Sequence, residues 1–296
     1  MRNIFQTVIK KIFEKIKGNR IKINTTLLNE RDKLLEVYKN EYQGNIKKIL
    51  EVLENHNSSS SKKIKINENE IKEIENSISK INIKWKHNGL RLGGLEKHTE
   101  ILVAVSSFFD APKILEVGVA NGYSTSIFHE ILFRSKSPGC IHSIDMPIFE
   151  RDLSKSDNFI GLMKLKVHRY LEKIVYPDKE SRPNNMWRGG VIPDDKYCGW
   201  LVPINLQLKI NSKLFIGNVS DIYKKLPNNY YDIILLDAMK DEKSRIKLLE
   251  ESLLLAKKGS FIIQDGGWLN SAVDHFCDKN NFLNIKLGRL SVINIK

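Results

Sequence analysis

The feature that most constrains this chain is an apolar strand that breaks into a glycine-spaced turn and restarts at once as a helix. Ile114 to Val117 form the strand, Glu116-x-Gly118-x-x-x-Gly122 the turn, and Tyr123 to Ser126 the start of the helix. Gly118 lets the backbone leave the sheet tightly, Gly122 makes room for a ligand, and the helix N-terminus aims the N–H groups of Tyr123 and Ser124 at it. A dinucleotide loop wants Gly-x-Gly-x-x-Gly/Ala, whereas its second and third glycine positions hold Ala120 and Tyr123 here. No Lys-Ser/Thr pair closes the turn either, which argues against a P-loop. What remains is an α/β sheet whose first strand serves a ligand with adenosine and no pyrophosphate.

Further strands end in polar residues at the edge where parallel sheets bind ligands. Cys140 to Asp145 reads as a short buried strand whose terminal carboxylate, about 25 residues beyond the loop, suits ribose hydroxyls; a strand-end Asp also forms turns. Lys213 to Ser220 gives another strand closing on Gly217-Asn218, a turn pair in its own right. Tyr231 to Asp241 carries a strand apolar enough to be buried on both faces with Asp237 at its carboxyl end, and the strand Ser260 to Asp265 ends in a second carboxylate ahead of Gly266-Gly267-Trp268. Two carboxylates on adjacent strand ends repel, so they share a proton, bind a Mg2+-like ion, are parted by solvent, or cap helices.

The run Leu115-Glu116-Val117-Gly118-x-x-x-Gly122-Tyr123-Ser124 resembles the S-adenosylmethionine loop of class I methyltransferases, in particular the catechol and caffeoyl-coenzyme A O-methyltransferases, over about residues 91 to 296. The resemblance implies a doubly wound, Rossmann-like α/β fold, its seven-stranded sheet mostly parallel with an antiparallel last strand. It implies S-adenosylmethionine at Glu116, Gly118, Gly122, Tyr123, Ser124, Asp145, Asn218, Ser220 and Asp237, with the adenine ring near Asn218. Leu236-Asp237-Ala238-Met239-Lys240-Asp241 is similar to the family's Leu-Asp-His-Trp-Lys-Asp segment, and by that likeness Asp237 is a metal ligand and Lys240 the general base. Asp265 would be the second ligand, but the Asn that follows it in the family is Gly266 here, so a Mg2+ site would need Gln264, water or substrate to complete it. His129, His142 and His275 are fallback bases.

At 296 residues the chain exceeds one small domain, and about 205 residues from Arg91 onward suffice for one α/β core. Cys140, Cys198 and Cys277 are scattered, which excludes a thiolate zinc cluster and points to a reducing, cytoplasmic setting. No apolar run reaches roughly 18 residues, and Lys10, Lys11, Glu14, Lys15 and Lys17 interrupt any secretory core. The net charge of +13 is uneven: over residues 1 to 92, Lys and Arg outnumber Asp and Glu by 20 to 11. Abundant Lys, Ile and Asn fit an AT-rich genome, which weakens charge as a nucleic-acid footprint. The strand ending in Leu-Asp-Ala-Met also lacks the Asn/Asp-Pro-Pro-Tyr/Phe of base-amino methylators, so a nucleic-acid methyltransferase is disfavoured.

Residues 1 to 90 read as a separate basic helical region. Ile4, Phe5, Val8, Ile9, Ile12, Phe13 and Ile16 make one apolar face, suited to docking on the chain's own domain or a partner subunit, with an anionic membrane surface as the less favoured alternative. A second stripe, Leu27, Leu28, Leu34, Leu35, Tyr38, Tyr42, Ile46, Ile49 and Leu53, interrupted near Gly44, suits a homo-oligomer or equally the chain's own core. Residues 57–63 are a linker. Asn67-x-x-Glu70 reads as a capping box for a helix buried through Ile71, Ile74, Ile78 and Ile81, and Leu95 to Phe109 as another helix. The long segment 146–212 carries Trp187 and Trp200 among Pro and Gly, either as a substrate lid or as loop anchored to the core. Phe282 to Lys286 and Leu290 to Ile295, joined by Gly288-Arg289, form a terminal hairpin. Together these features lead to an S-adenosylmethionine-dependent O-methyltransferase of a small hydroxylated acceptor, a sugar, phenol or natural product. A non-catalytic methyltransferase-like partner subunit is the rival.

Overall fold

A computed structural model describes residues 25–55, 66–86, 98–119, 122–145, 209–239 and 241–296. The basic helix expected at 4–16, the linker, Lys240 and the segment 146–208 lie outside these.

Among the described residues five strands run parallel: β1 (Lys113–Val117), β2 (Cys140–Asp145), β3 (Asn211–Ile216), β4 (Tyr231–Leu236) and β5 (Ala256–Asp265). The hairpin is β6 (Asn284–Leu287) and β7 (Leu290–Asn294). The order is β3-β2-β1-β4-β5-β7-β6, with β7 antiparallel to both its neighbours. This is the doubly wound, mostly parallel Rossmann-like sheet that the resemblance implies: the last strand inserts beside β5, and the winding reverses between β1 and β4.

Burial on both faces explains why the strands read as unbroken apolar runs. Ile233 and Leu235 of β4 enter one hydrophobic cluster, Ile234 and Leu236 the other, and none is exposed to solvent. The polar exception, Asp232, accepts from the Lys113 backbone at 2.8 Å and from Lys257 Nζ at 2.7 Å, so its buried charge is paired. Helices α6 (Val219–Tyr223), α7 (Glu242–Leu255) and α8 (Ala272–Asn280) cover one face, while α4 (Thr99–Ser106) and α5 (Tyr123–Arg134) cover the other.

The N-terminal helices α1 (Thr25–Glu41), α2 (Ile46–Glu54) and α3 (Glu68–Lys86) extend this second layer. Tyr38, Ile46, Ile49, Leu50, Leu53, Ile71 and Ile74 share one cluster with Ile101 of α4, Ile114 of β1 and Phe261 of β5. Where helix pairing and an inward stripe were equal expectations, the described stripe faces the chain's own core. Through these residues α1 to α3 pack on the same face of the sheet as α4 and α5. Gly44, at φ +77°, separates α1 from α2 at the expected place. The capping box also forms, with Glu70 N donating to Asn67 Oδ1 at 3.0 Å and Asn67 N to Glu70 Oε2 at 2.9 Å. Among the described residues no helix is long and apolar enough to cross a membrane.

Ile49 has no solvent exposure, so Ile49→Ala should cost about 2–5 kcal/mol in denaturant unfolding. A chain beginning after residue 60 should lose its cooperative melting transition, because the cut uncovers the core around Ile101. Full-length melting behaviour in the truncated chain would contradict this packing role.

Candidate functional site

The carboxyl ends of the strands converge on the crevice between β1 and β4. Gly118 leaves β1 at φ +95°, and a Cβ there would lie 2.4 Å from the Asp237 carbonyl oxygen. The turns after β1 and β4 therefore touch through backbone alone, and Asp237 N donates to Val117 O at 2.8 Å. Gly122, at φ +84°, caps α5 and turns its first-turn N–H groups, those of Tyr123 and Ser124 among them, toward the same edge.

Glu116 lies beneath this crevice with no exposure. The Ser124, Thr125 and Ser143 hydroxyls all donate to its carboxylate, Ser143 at 3.0 Å. Burial pushes Glu116 up to about 7, against the pull of these hydroxyls, with Asp145 adding to the push. Its role in the structure is to tie β1, β2 and α5 together under the loop. The Ser124 side chain is spent in that network, which leaves its backbone N–H as what it offers a ligand.

Asp145 ends β2, only 4% exposed. Beside it, Gly217 N donates to Asp145 O at 3.0 Å, which brings Asn218 to the same edge. The Asn218 side chain accepts from Ser220 N at 2.9 Å and so caps α6, while Ser220 Oγ donates to Glu251. The turn-forming role weighed for Asn218 is thus the one its oxygen performs.

On the other side, Asp237 and Asp265 end adjacent strands as expected. Arg289, in the β6–β7 turn, donates to both Asp265 oxygens, from Nε at 2.8 Å and Nη2 at 2.6 Å. Asp237 is raised, by crowding of protein around its carboxyl first and by the Asp265 carboxylate second, while Arg289 pulls the other way. Its side chain nonetheless reaches solvent, which screens these effects. Beneath both turns, the buried Arg245 guanidinium donates to the carbonyls of Met239 at 2.9 Å, Asp265 at 3.1 Å and Gly266. It locks the loops after β4 and β5 together.

The Mg2+ site expected between Asp237 and Asp265 does not fit this arrangement, because Arg289 already holds both Asp265 oxygens. Gln264, considered as a neutral ligand, is buried; its Nε2 donates to Leu236 O and Asp265 O, each at 3.0 Å, while its Oε1 has no hydrogen-bond partner among the described residues. Among the described residues no three His, Cys, Asp or Glu side chains are grouped to hold an ion. The fallback bases lie elsewhere: His129 bonds the Thr125 carbonyl inside α5, His142 bonds Tyr231 at the start of β4, and His275 lies on exposed α8 surface. Arg245 and Arg289 are the site residues that sequence reading missed. Arg289 had a signal, since pairing β7 against β5 sets Leu290 opposite Asp265 and leaves Arg289 just beyond the strand end.

No protein-family model and no curated protein matches this chain. Among solved structures it is similar to an O-methyltransferase from Bacillus cereus, crystallised in complex with SAH, at 14% identity and a TM-score of 0.42, over 76% of this chain and 91% of that one. A SAH-bound methyltransferase from Podospora anserina is similar at 15% identity and a TM-score of 0.42, over 74% and 88%. These likenesses are remote, and the fold stands on the order and register of the sheet itself.

Glu116 holds its proton more tightly folded than unfolded. Its contribution to stability is therefore complete below the ordinary carboxylate range and is lost as pH rises through about 7. His129, which burial holds down to about 4, acts oppositely: its contribution is present above its ordinary value and lost as pH falls toward about 4. Comparing the wild type with Glu116→Gln isolates the first effect. Between about pH 5 and about pH 8 the stability difference should move toward the Gln variant by about 1–3 kcal/mol. A pH-independent difference in denaturant midpoints would contradict the shifted carboxyl.

Proposed function

We propose that this chain is an S-adenosylmethionine-dependent methyltransferase acting on a hydroxyl oxygen of a small molecule. The observation that carries the reading is the cradle at the reversal of the sheet. There a glycine that no other residue can replace brings two strand-end turns into contact, a helix N-terminus faces them, and a buried carboxylate ends the neighbouring strand. When bound, S-adenosylmethionine supplies an electrophilic methyl group on a sulfonium. The backbone of Gly118 and Gly122 and the first-turn N–H groups of α5 would line its adenosyl and amino-acid portions. Asp145 would accept from ribose hydroxyls, with Asn218 on one flank and Asp237 on the other. Glu116 holds the loop from below.

For oxygen methylation the chain must orient a hydroxyl in line and remove one proton. Two candidates stand in the turn after β4: Asp237, whose raised pKa suits a carboxylate that must accept a proton near neutrality, and Lys240, the base that the resemblance implies. The class of acceptor, a sugar, phenol or natural-product hydroxyl, rests on the likeness of Leu236 to Asp241 to the catechol-type segment. The free and buried Cys140 and Cys277 support the reducing, cytoplasmic setting.

Asp145→Ala should weaken S-adenosylmethionine binding by about 1–3 kcal/mol through lost charge-assisted hydrogen bonds. Gly118→Ala should abolish it, since the new Cβ collides with the Asp237 carbonyl. Unchanged affinity of both variants in calorimetry would remove the cofactor assignment. Cofactor binding without methyl transfer to any hydroxylated acceptor would favour the non-catalytic subunit.

A further inference from the structure

Asp237 and Asp265 stand where the catechol-type resemblance implies a divalent cation, yet a cation of the chain's own already meets Asp265. We propose that the Arg289 guanidinium takes the place of the divalent ion at this edge, so that the Asp237–Asp265 pair is organised for methyl transfer without metal; this rests on the methyltransferase reading. Asp265 is 5% exposed, and Arg289 engages both its oxygens in the two-pronged geometry that suits guanidinium. A hard cation would have to displace that partner or enter against its positive charge. Gly266 stands where the family has its further ligand and brings no side chain. A Cβ there would lie 3.2 Å from Arg245 Nη2 and 3.0 Å from Leu269, and the backbone stands at φ +64°, so a side chain at this position would be crowded.

The cation is also clamped from behind. Arg289 N donates to His98 Nε2 at 3.3 Å, and a Cβ on Gly288 would lie 2.7 Å from the same imidazole nitrogen. Tyr38 of α1 stacks on His98 at 5.0 Å between ring centroids, and its hydroxyl donates to Glu100 at 3.1 Å. Packing of the N-terminal layer therefore fixes the turn that carries the charge. Arg289 is a positioning residue. One delocalised positive charge orients oxygens by direction but acidifies a hydroxyl less than a doubly charged ion does, so proton removal falls to a side chain.

The test is Mn2+ uptake by the full chain, read from loss of the free-ion electron paramagnetic resonance signal. Wild type should leave the signal unchanged. Arg289→Ala, shown to be folded by circular dichroism, should bind the ion at least about tenfold more tightly, and adding Asp265→Asn should remove that gain. Arg289→Lys, which keeps a positive charge, should ignore the ion as wild type does, and it decides with wild type if the Ala variant does not fold. Stoichiometric uptake by wild type, uptake by the Lys variant, or no uptake by a folded Ala variant would overturn the proposal. S-adenosylmethionine calorimetry on the same samples reads the underlying assignment separately. A wild type that fails to bind cofactor undoes that assignment and leaves the ion result standing.

Discussion

A parallel sheet buried on both faces has one kind of border left for chemistry, the line where its strands end. The central strands here are closed to solvent above and below, so every polar group that a ligand could meet must come from the turns beyond them. That constraint accounts for the N-terminal helices as well. Without α1 to α3, the layer over Ile114, Ile233 and Phe261 would be incomplete, and the strands would have a wet face their composition does not suit.

The same constraint makes buried charge expensive at the edge, and each such charge has a specific answer. Glu116 meets three hydroxyls and is raised by burial, a carboxyl tuned by desolvation against hydrogen bonding. Asp265 meets a guanidinium. Arg245, the largest fully buried side chain among the described residues, donates to three carbonyls, so it stiffens two loops through their backbones and leaves their side chains to face the cleft. Net charge tells little of this, because what matters is which side chain each buried ion meets.

The strands were legible because burial on both faces writes itself as an apolar run of the right length. β2 begins and ends where the sequence reading put it, and β4 begins there and stops at Leu236, one residue short of Asp237. β5 starts earlier, at Ala256 rather than Ser260, because its first residues pair with Tyr231 across a shift in register that Lys257, Lys258 and Gly259 disguise as a loop. The glycine loop was legible because its positive-φ turns at Gly118 and Gly122 are local, although the Asp237 carbonyl that Gly118 meets is not. The stripe on α1 and α2 showed a face but not what that face meets, since periodicity is blind to partners. The ion pair of Asp265 with Arg289 needed one step more: an antiparallel last strand was expected, but only its register against β5 sets Leu290 opposite Asp265 and brings Arg289 to that carboxylate. Asn218 and Ser220 kept their places at the edge, yet their side chains are occupied with capping and with Glu251, uses that residue type alone could not rank.

Tyr38 and Gly288 come into close approach although 250 positions of chain lie between them. A ribosome adds about 5–20 residues each second, so the apolar stripe that holds Tyr38 emerges roughly 12–50 s before the turn it finally packs against. For that interval α1 and α2 have only part of their core. The layer that clamps Arg289 is made well before the turn it clamps and completes its packing only when that turn is present. The stripe on α1 and α2 is therefore a surface that synthesis leaves partly uncovered until the β6–β7 turn arrives.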